Sequence, residues 1–455
     1  MAGNAVREGI AERFDAAMNP ADEIDKFLID AVAYCTGELG MNKADLLLEL
    51  ANGIIGDQYP SPSRCLTCTE GILNDYLQST LYGGADLKGK TQVFPTEGGT
   101  AAMTYVFQSL SHNRVLKPGD KIAVGTPIFT PYLQIPHVND YGLVSVDVTS
   151  TVRDGWDIAP EELDKLKDPN IKAFFLVNPS NPASHALSDK TLEKLDEVVR
   201  AHLDLIILTD DVYGTFVDGF RSVYSVQPRN TILVYSYSKL YGATGWRIGM
   251  IAMNEDNVVD RLVSQLSAED KRTVDDEYRI VTDDPSSMRF IDRMCADSRS
   301  IGLYHTSGLS TPSQIFMDIL SLTHLVNKDA DPYIAQSRTL VAERYVALMD
   351  ALGLKADTNR ENAQYYVLVD INGLSAARHG EDFAKWRREK MSDLDFLDDL
   401  ARKKGVVLMY GPGFEAPEGN VRVSLANLNK EDYIEIARRL NEPLDEYHQQ
   451  YELGH

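Results

Sequence analysis

The sequence predicts an α/β protein built on a mostly parallel β-sheet with helices covering both faces. Three observations predict it. Short apolar runs rich in β-branched and aromatic residues recur from about Gln92 onward. Stretches of helical period separate them, and polar residues with chemical potential stand directly after several of the runs. In an open α/β sheet that is where ligands bind.

The elements come in order along the chain. The first 80 or so residues read as helices with turns: Ile24, Phe27, Leu28 and Val32 fall at helical spacing, and Leu46, Leu47, Leu48 and Leu50 follow with the Asn52-Gly53 pair just beyond. Val93-Phe94 and the runs Lys121–Val124, Ala173–Val177, Leu203–Leu208 and Thr231–Tyr235 read as strands. Between Ala173–Val177 and Leu203–Leu208 lies a helix over Asp189–His202, with Leu192, Leu195, Val198 and Val199 on one face. Residues 254–299 are highly charged and helical in pattern, with a turn at Asp283–Met288. Pro332 opens a helix that runs to Leu352, because proline is favoured in a first helical turn. A strand (Tyr365–Val369), helices, two more strands (Val406–Met409 and Asn420–Leu425) and a final helix complete a small α+β unit. The expected division is a helical N-terminal region over 1–84, a large domain over 85–325 with a charged helical insertion near 254–300, and a small C-terminal domain over 326–455.

Composition excludes several classes of function. The 455 residues carry 45 Lys+Arg against 68 Asp+Glu, a net charge of −23. Such a chain is repelled by nucleic-acid phosphates and anionic lipid unless it holds a local basic patch. The densest basic stretch, Lys385–Lys390, reads as a solvated helix face. No apolar run approaches the roughly 18 residues needed to span a bilayer. The first 20 residues lack a signal-peptide core, so a cytoplasmic protein is expected. Only Cys35, Cys65, Cys68 and Cys295 are present. Cys65 and Cys68 form a CxxC after a turn-rich segment, but no second pair completes a zinc site, so no metal is expected and the thiols read as incidental.

The strand ends carry the chemistry. After Val93-Phe94 come Gly98, Gly99 and Thr100, two glycines and a hydroxyl opening a helix, which suit an anion. After Ala173–Val177 comes Asn181 within NPSNP, and after Leu203–Leu208 come Asp210 and Tyr213. After Thr231–Tyr235 come Ser236 and Lys239, with Arg247 eight positions beyond the lysine. Each signal alone is weak, since Gly-Gly-Thr turns, Asn-Pro loops and capping aspartates are common. Together they match one chemistry. A lysine amine forms an imine with an aldehyde cofactor, a carboxylate keeps a pyridine nitrogen protonated, and an arginine grips a phosphate.

With GGT, NPSNP, DDVY and SYSK followed by GATGWR, the sequence resembles the class I/II aminotransferases among fold-type I pyridoxal-phosphate enzymes. The resemblance implies a seven-stranded sheet sandwiched by helices, with pyridoxal 5'-phosphate joined to Lys239. Asp210 would pair with the ring nitrogen, Asn181 and Tyr213 would contact the phenolic oxygen, and Phe129 in PIFTPY would stack on the ring. Gly98, Gly99, Thr100, Ser236 and Arg247 would hold the phosphate. Arg422, after Pro412–Phe414, would bind the substrate α-carboxylate beside Asn181. Tyr59 looks like the tyrosine offered to a neighbouring subunit's phosphate, in a homo-oligomer built from dimers.

Longer phrases, among them PTEGGTAAM, LDKLKDPNIKAFF, ILTDDVYGTF, RFIDRMCADSR and HTSGLSTPSQ, are similar to the aspartate 4-decarboxylases. That likeness covers nearly the whole chain. It implies β-decarboxylation of L-aspartate to L-alanine and CO₂, with a side transaminase activity on 2-oxo acids. That family begins with a further segment carrying GRGNPN, whose arginine is expected near the second carboxylate. The motif is missing here, which implies either a truncated reading frame or a different handling of substrate. A plain aminotransferase of acidic amino acids, or a cofactor-binding but inactive protein, are the alternatives.

Overall fold

The computed structural model describes residues 21–87, 89–137, 141–301 and 308–454. The start of the N-terminal region and His305–Ser307 of the HTSGLSTPSQ phrase therefore lie outside the described residues. Seven strands form the main sheet: β1 (Thr91–Thr96), β2 (Lys121–Thr126), β3 (Val144–Thr149), β4 (Ile171–Val177), β5 (Ile206–Asp210), β6 (Thr231–Ser236) and β7 (Gly249–Asn254). They lie in the order β1-β7-β6-β5-β4-β2-β3. Neighbours are parallel except where β7 pairs antiparallel with both β6 and β1. One reversed strand in seven bears out the mostly parallel sheet. β4, β5 and β6 are buried along almost their whole length, as strands covered on both faces require.

The helices arise from caps and stripes. The Asp189–Ala201 helix starts where the Ser188 hydroxyl accepts the Thr191 N–H, and it buries Leu192, Leu195, Val198 and Val199. The Pro332–Leu352 helix opens on Asp331, which accepts two N–H groups, and stops at Gly353 with φ 73°. Residues 254–299 give the Val258–Ser264, Ala268–Tyr278 and Phe290–Ile301 helices after the end of β7, a strand absent from the sequence expectations.

A second sheet of three strands, in the order β8-β10-β9, is made by β8 (Tyr366–Asp370), β9 (Met409–Tyr410) and β10 (Asn420–Ser424). The strand expected over Val406–Met409 shrinks to two residues, because only Met409 and Tyr410 pair with β10. A separate apolar cluster packs here, with Leu348, Val369, Phe396, Leu400, Val423 and Leu440 among its members. The main cluster under the large sheet also takes in Ala31, Cys35, Leu46, Ile72 and Leu77 from the Ala21–Gly37, Lys43–Ile55 and Thr67–Leu81 helices.

Three local expectations need correction. Of the apolar residues counted on the first helices, Leu28, Leu47 and Leu48 are exposed, because Ala31, Cys35 and Leu46 supply the face that meets the core. Within the basic stretch Lys385–Lys390, Arg387 is fully buried rather than solvated. Its guanidinium lies over the Phe396 ring, donates to Asn372 and pairs with Asp393. Finally, Cys65 and Cys68 do flank a helix start, since that helix begins at Thr67. Both are buried, and burial pushes the Cys68 thiol up to about 12 and that of Cys65 well above its ordinary value. Thiols held protonated in this way are unreactive.

Candidate active site

The ends of β1, β5 and β6 and the start of β7 meet at one edge of the sheet, because β7 runs against its neighbours. Gly98 and Gly99 come after β1 and open the Gly99–His112 helix, whose first turn has no side-chain cap. Its leading N–H groups are thus available to an anion. Gly98 sits at φ 89°, and a Cβ there would lie 2.5 Å from Nη2 of Arg247. Only glycine lets that guanidinium come so close. Arg247 itself adopts the left-handed conformation, φ 54°, a costly state for an arginine that marks a built site. Its Nη1 donates to the Thr244 carbonyl (2.9 Å) and Nη2 to the Glu97 carbonyl (3.3 Å).

After β6 the side chains alternate. Tyr237 turns into an aromatic cluster with Tyr76 and Tyr241. Ser236 and Ser238 turn the other way, with their hydroxyls 2.8 Å apart. Uncapped amides, two buried hydroxyls and a guanidinium around glycine backbone fit a phosphate. Thr100 is exposed at the same helix end.

Alternation also separates the two aspartates after β5. Asp211 is fully buried and accepts from Thr209 on the far side. Asp210 faces the site: its Oδ2 accepts the Tyr132 hydroxyl at 2.7 Å and its Oδ1 accepts the Val212 N–H at 3.2 Å. Burial pushes the Asp210 carboxyl up to about 6, against the lowering pull of Tyr132, Val212 and the charge of Lys239. A carboxylate so short of positive charge fits a protonated ring nitrogen. Sequence reasoning missed Tyr132, although PIFTPY places it three residues after Phe129, on the same helical turn. The two rings meet edge to face at 5.3 Å, and Phe129 is half-buried.

Arg422 comes from β10 and joins the group from the second sheet. Its Nη1 donates to Asn181 Oδ1 at 2.8 Å. The Asn181 Nδ2 in turn donates to the Tyr213 hydroxyl at 3.4 Å. The Arg422 guanidinium lies 4.2 Å from the Tyr366 ring centre and 4.6 Å from that of Phe414. Its Nε is buried with no hydrogen-bond partner. A half-buried cation with an unused donor fits a carboxylate ligand. Lys239 is half-buried, with its Nζ 5.9 Å from the Tyr213 ring centre.

The sequence-predicted residues thus gather into two adjoining pieces, an anion cradle and a ring of polar groups around Lys239. Tyr59 is the exception, 70% exposed at the surface. A surface cleft of about 740 Å³ lies at the opposite end of the strands, lined in part by Arg200, Arg229, Asn230, Asn254 and Arg261. Its arginines already pair with Asp196, Asp256 and Asp204, so it offers no comparable chemistry.

Comparison with known proteins agrees with this fold. Residues 73–440 match the model of the family described as aminotransferase class I and II. The chain is 43% identical to a bifunctional aspartate aminotransferase and L-aspartate beta-decarboxylase from Pseudomonas sp, over 98% of this chain and 83% of that one. It is 32% identical to an aspartate aminotransferase of Streptomyces avermitilis over 36% of this chain and 40% of that protein. Among solved structures, a Thermus thermophilus aspartate aminotransferase variant superposes with a TM-score of 0.63 at 22% identity, covering 88% of this chain and 92% of its own. An aromatic aminotransferase from Pyrococcus horikoshii gives 0.64 at 20%, covering 88% and 91%.

Proposed function

The chain belongs to the class I and II aminotransferases, and from that membership we propose that it binds pyridoxal 5'-phosphate and converts L-aspartate to L-alanine and CO₂, with transamination to 2-oxo acids as a second activity. The cofactor, when bound, supplies an electron sink for charge released at the substrate Cα. The Gly98–Gly99 helix end, Ser236 and Arg247 hold its phosphate, with Thr100 at the rim. Asp210 keeps the proton on the ring nitrogen, and Tyr132 keeps Asp210 in place. Phe129 packs against the ring.

Arg422 receives the α-carboxylate, and the observation that carries the proposal is its guanidinium held by Asn181 with one donor left unpaired. Asn181 fixes the other edge of the guanidinium, so substrate enters in one orientation and its Cα proton faces Lys239. Lys239 Nζ takes that proton and returns it, acting as the general base and acid. Loss of the β-carboxylate and transamination share these steps, and exclusion of water by the site sets the balance between them. We place the enzyme in the cytoplasm as a homo-oligomer built from dimers, with Tyr59 reaching a neighbouring subunit. Among the described residues no helix is long and apolar enough to cross a membrane.

The deciding assay supplies L-aspartate and pyridoxal 5'-phosphate and measures alanine and CO₂, then adds 2-oxoglutarate and measures oxaloacetate. Alanine with CO₂ in excess of oxaloacetate is the expected result. Oxaloacetate alone would make it a plain aminotransferase. No product, with an imine absorbance that Lys239→Ala abolishes, would leave a cofactor-binding protein without activity.

A further inference from the structure

Tyr366, on β8, stands between Tyr213 and Arg422. Its hydroxyl lies 3.1 Å from that of Tyr213, and its ring forms one face of the slot that holds Arg422. Arg422, Asn181, Tyr213 and Tyr366 therefore form a closed circuit. Arg422 donates to Asn181 Oδ1, which turns the amide so that Nδ2 points at Tyr213. Tyr366 stacks under Arg422 and meets Tyr213 from the other side.

A phenol has one hydrogen to donate and two lone pairs that accept. Asn181 already fills one lone pair of Tyr213. If Tyr366 fills the second, the single Tyr213 hydrogen is left for whatever lies in the site. The other groups around Tyr213 offer no competing acceptor for it in the circuit: the Tyr365 ring packs at 5.0 Å and the Lys239 ammonium lies over the ring. Asp210, whose charge is felt at Tyr213, spends its oxygens on Tyr132 and Val212.

The geometry points to Tyr366 as a positioning residue: its hydroxyl aims the Tyr213 proton at the cofactor's phenolic oxygen while its ring holds Arg422 for the substrate carboxylate. This rests on the cofactor and substrate proposed above. It assigns two separable jobs to one side chain, and the two can be removed one at a time.

Tyr366→Phe keeps the ring and deletes the hydroxyl, whereas Tyr366→Leu deletes both. On the pyridoxal 5'-phosphate-loaded enzyme we expect Tyr366→Phe to shift the pH midpoint of the cofactor's absorbance and to lower kcat roughly three- to tenfold, the worth of one hydrogen bond. Its KM for aspartate and its affinity for succinate, a non-reacting dicarboxylate measured by calorimetry, stay within about twofold. Tyr366→Leu also weakens succinate roughly fivefold or more. An unchanged absorbance midpoint in Tyr366→Phe, or unchanged succinate affinity in Tyr366→Leu, would overturn the inference. If the wild type bound the cofactor but did not turn over aspartate, while the absorbance and succinate effects persisted, only the proposed activity would fall. A wild type that bound no cofactor would refute both.

Discussion

Replacing Asp210 with asparagine sets stability against function in a way the geometry makes quantitative. Asp210 is buried, and its carboxyl is pushed up to about 6 from an ordinary 3.8. A carboxyl raised in this way binds its proton more tightly folded than unfolded. Its favourable contribution is present below the unfolded value and is lost as pH rises through 6. The gap of 2.2 between 6 and 3.8 corresponds to about 3 kcal/mol of penalty in the cofactor-free protein at pH 8. At pH 5 the penalty is only roughly half as large, because the folded form is then largely protonated. Asparagine escapes the titration but accepts one hydrogen bond where aspartate accepts two, a loss of about 1 kcal/mol at every pH. Cofactor-free Asp210→Asn should therefore be about 2 kcal/mol more stable than wild type at pH 8, with most of the advantage gone at pH 5. Urea unfolding of both proteins at the two pH values measures this. Turnover of aspartate should fall roughly 100-fold or more, since the ring nitrogen loses its anionic partner. A stability difference that does not change with pH would refute the reasoning.

Other outcomes rest on the same contacts. Tyr132→Phe removes a hydrogen bond that lowers the Asp210 carboxyl, so the acid limb of the kcat/KM profile should move upward. Arg422→Ala should raise KM for aspartate roughly 10- to 100-fold through loss of a charged carboxylate contact, as steady-state kinetics would record. His112 is pushed up to about 9, chiefly by Asp297 and then by Glu277. Its stabilisation is complete below 6.5 and disappears as pH rises through 9, so His112→Gln should cost about 1–2 kcal/mol at pH 6 and little at pH 10 in urea unfolding.

The strands and the polar residues at their ends were legible because both depend on local pattern. Lys239, Asp210 and Asn181 stand just beyond apolar runs, where a parallel sheet places its ligand-binding groups. Tyr132 and Tyr366 could not be found that way, because their importance arises from distance in space. Tyr132 lies after β2, two positions across the sheet from β5, and Tyr366 belongs to the other sheet altogether. The apolar face of the first helices was misjudged for a related reason. Periodicity locates a stripe but not which of two adjacent stripes meets the core, and Leu47 and Leu48 lie on the wrong one. Arg387 shows the converse limit: a charged residue in a basic run looks solvated until Asp393 and Phe396 close over it.

The circuit of Asn181, Tyr213, Tyr366 and Arg422 also orders events during synthesis. All seven strands of the main sheet, with Lys239, Asp210 and Arg247, have been translated by residue 254. The last member of the circuit arrives only with residue 422. At ribosomal speeds of roughly 5–20 residues per second, the groups proposed to handle the cofactor precede the proposed carboxylate-binding arginine by about ten seconds or more. Chains stalled between residues 254 and 420 thus hold the lysine proposed to carry the cofactor and lack the arginine proposed to select its substrate.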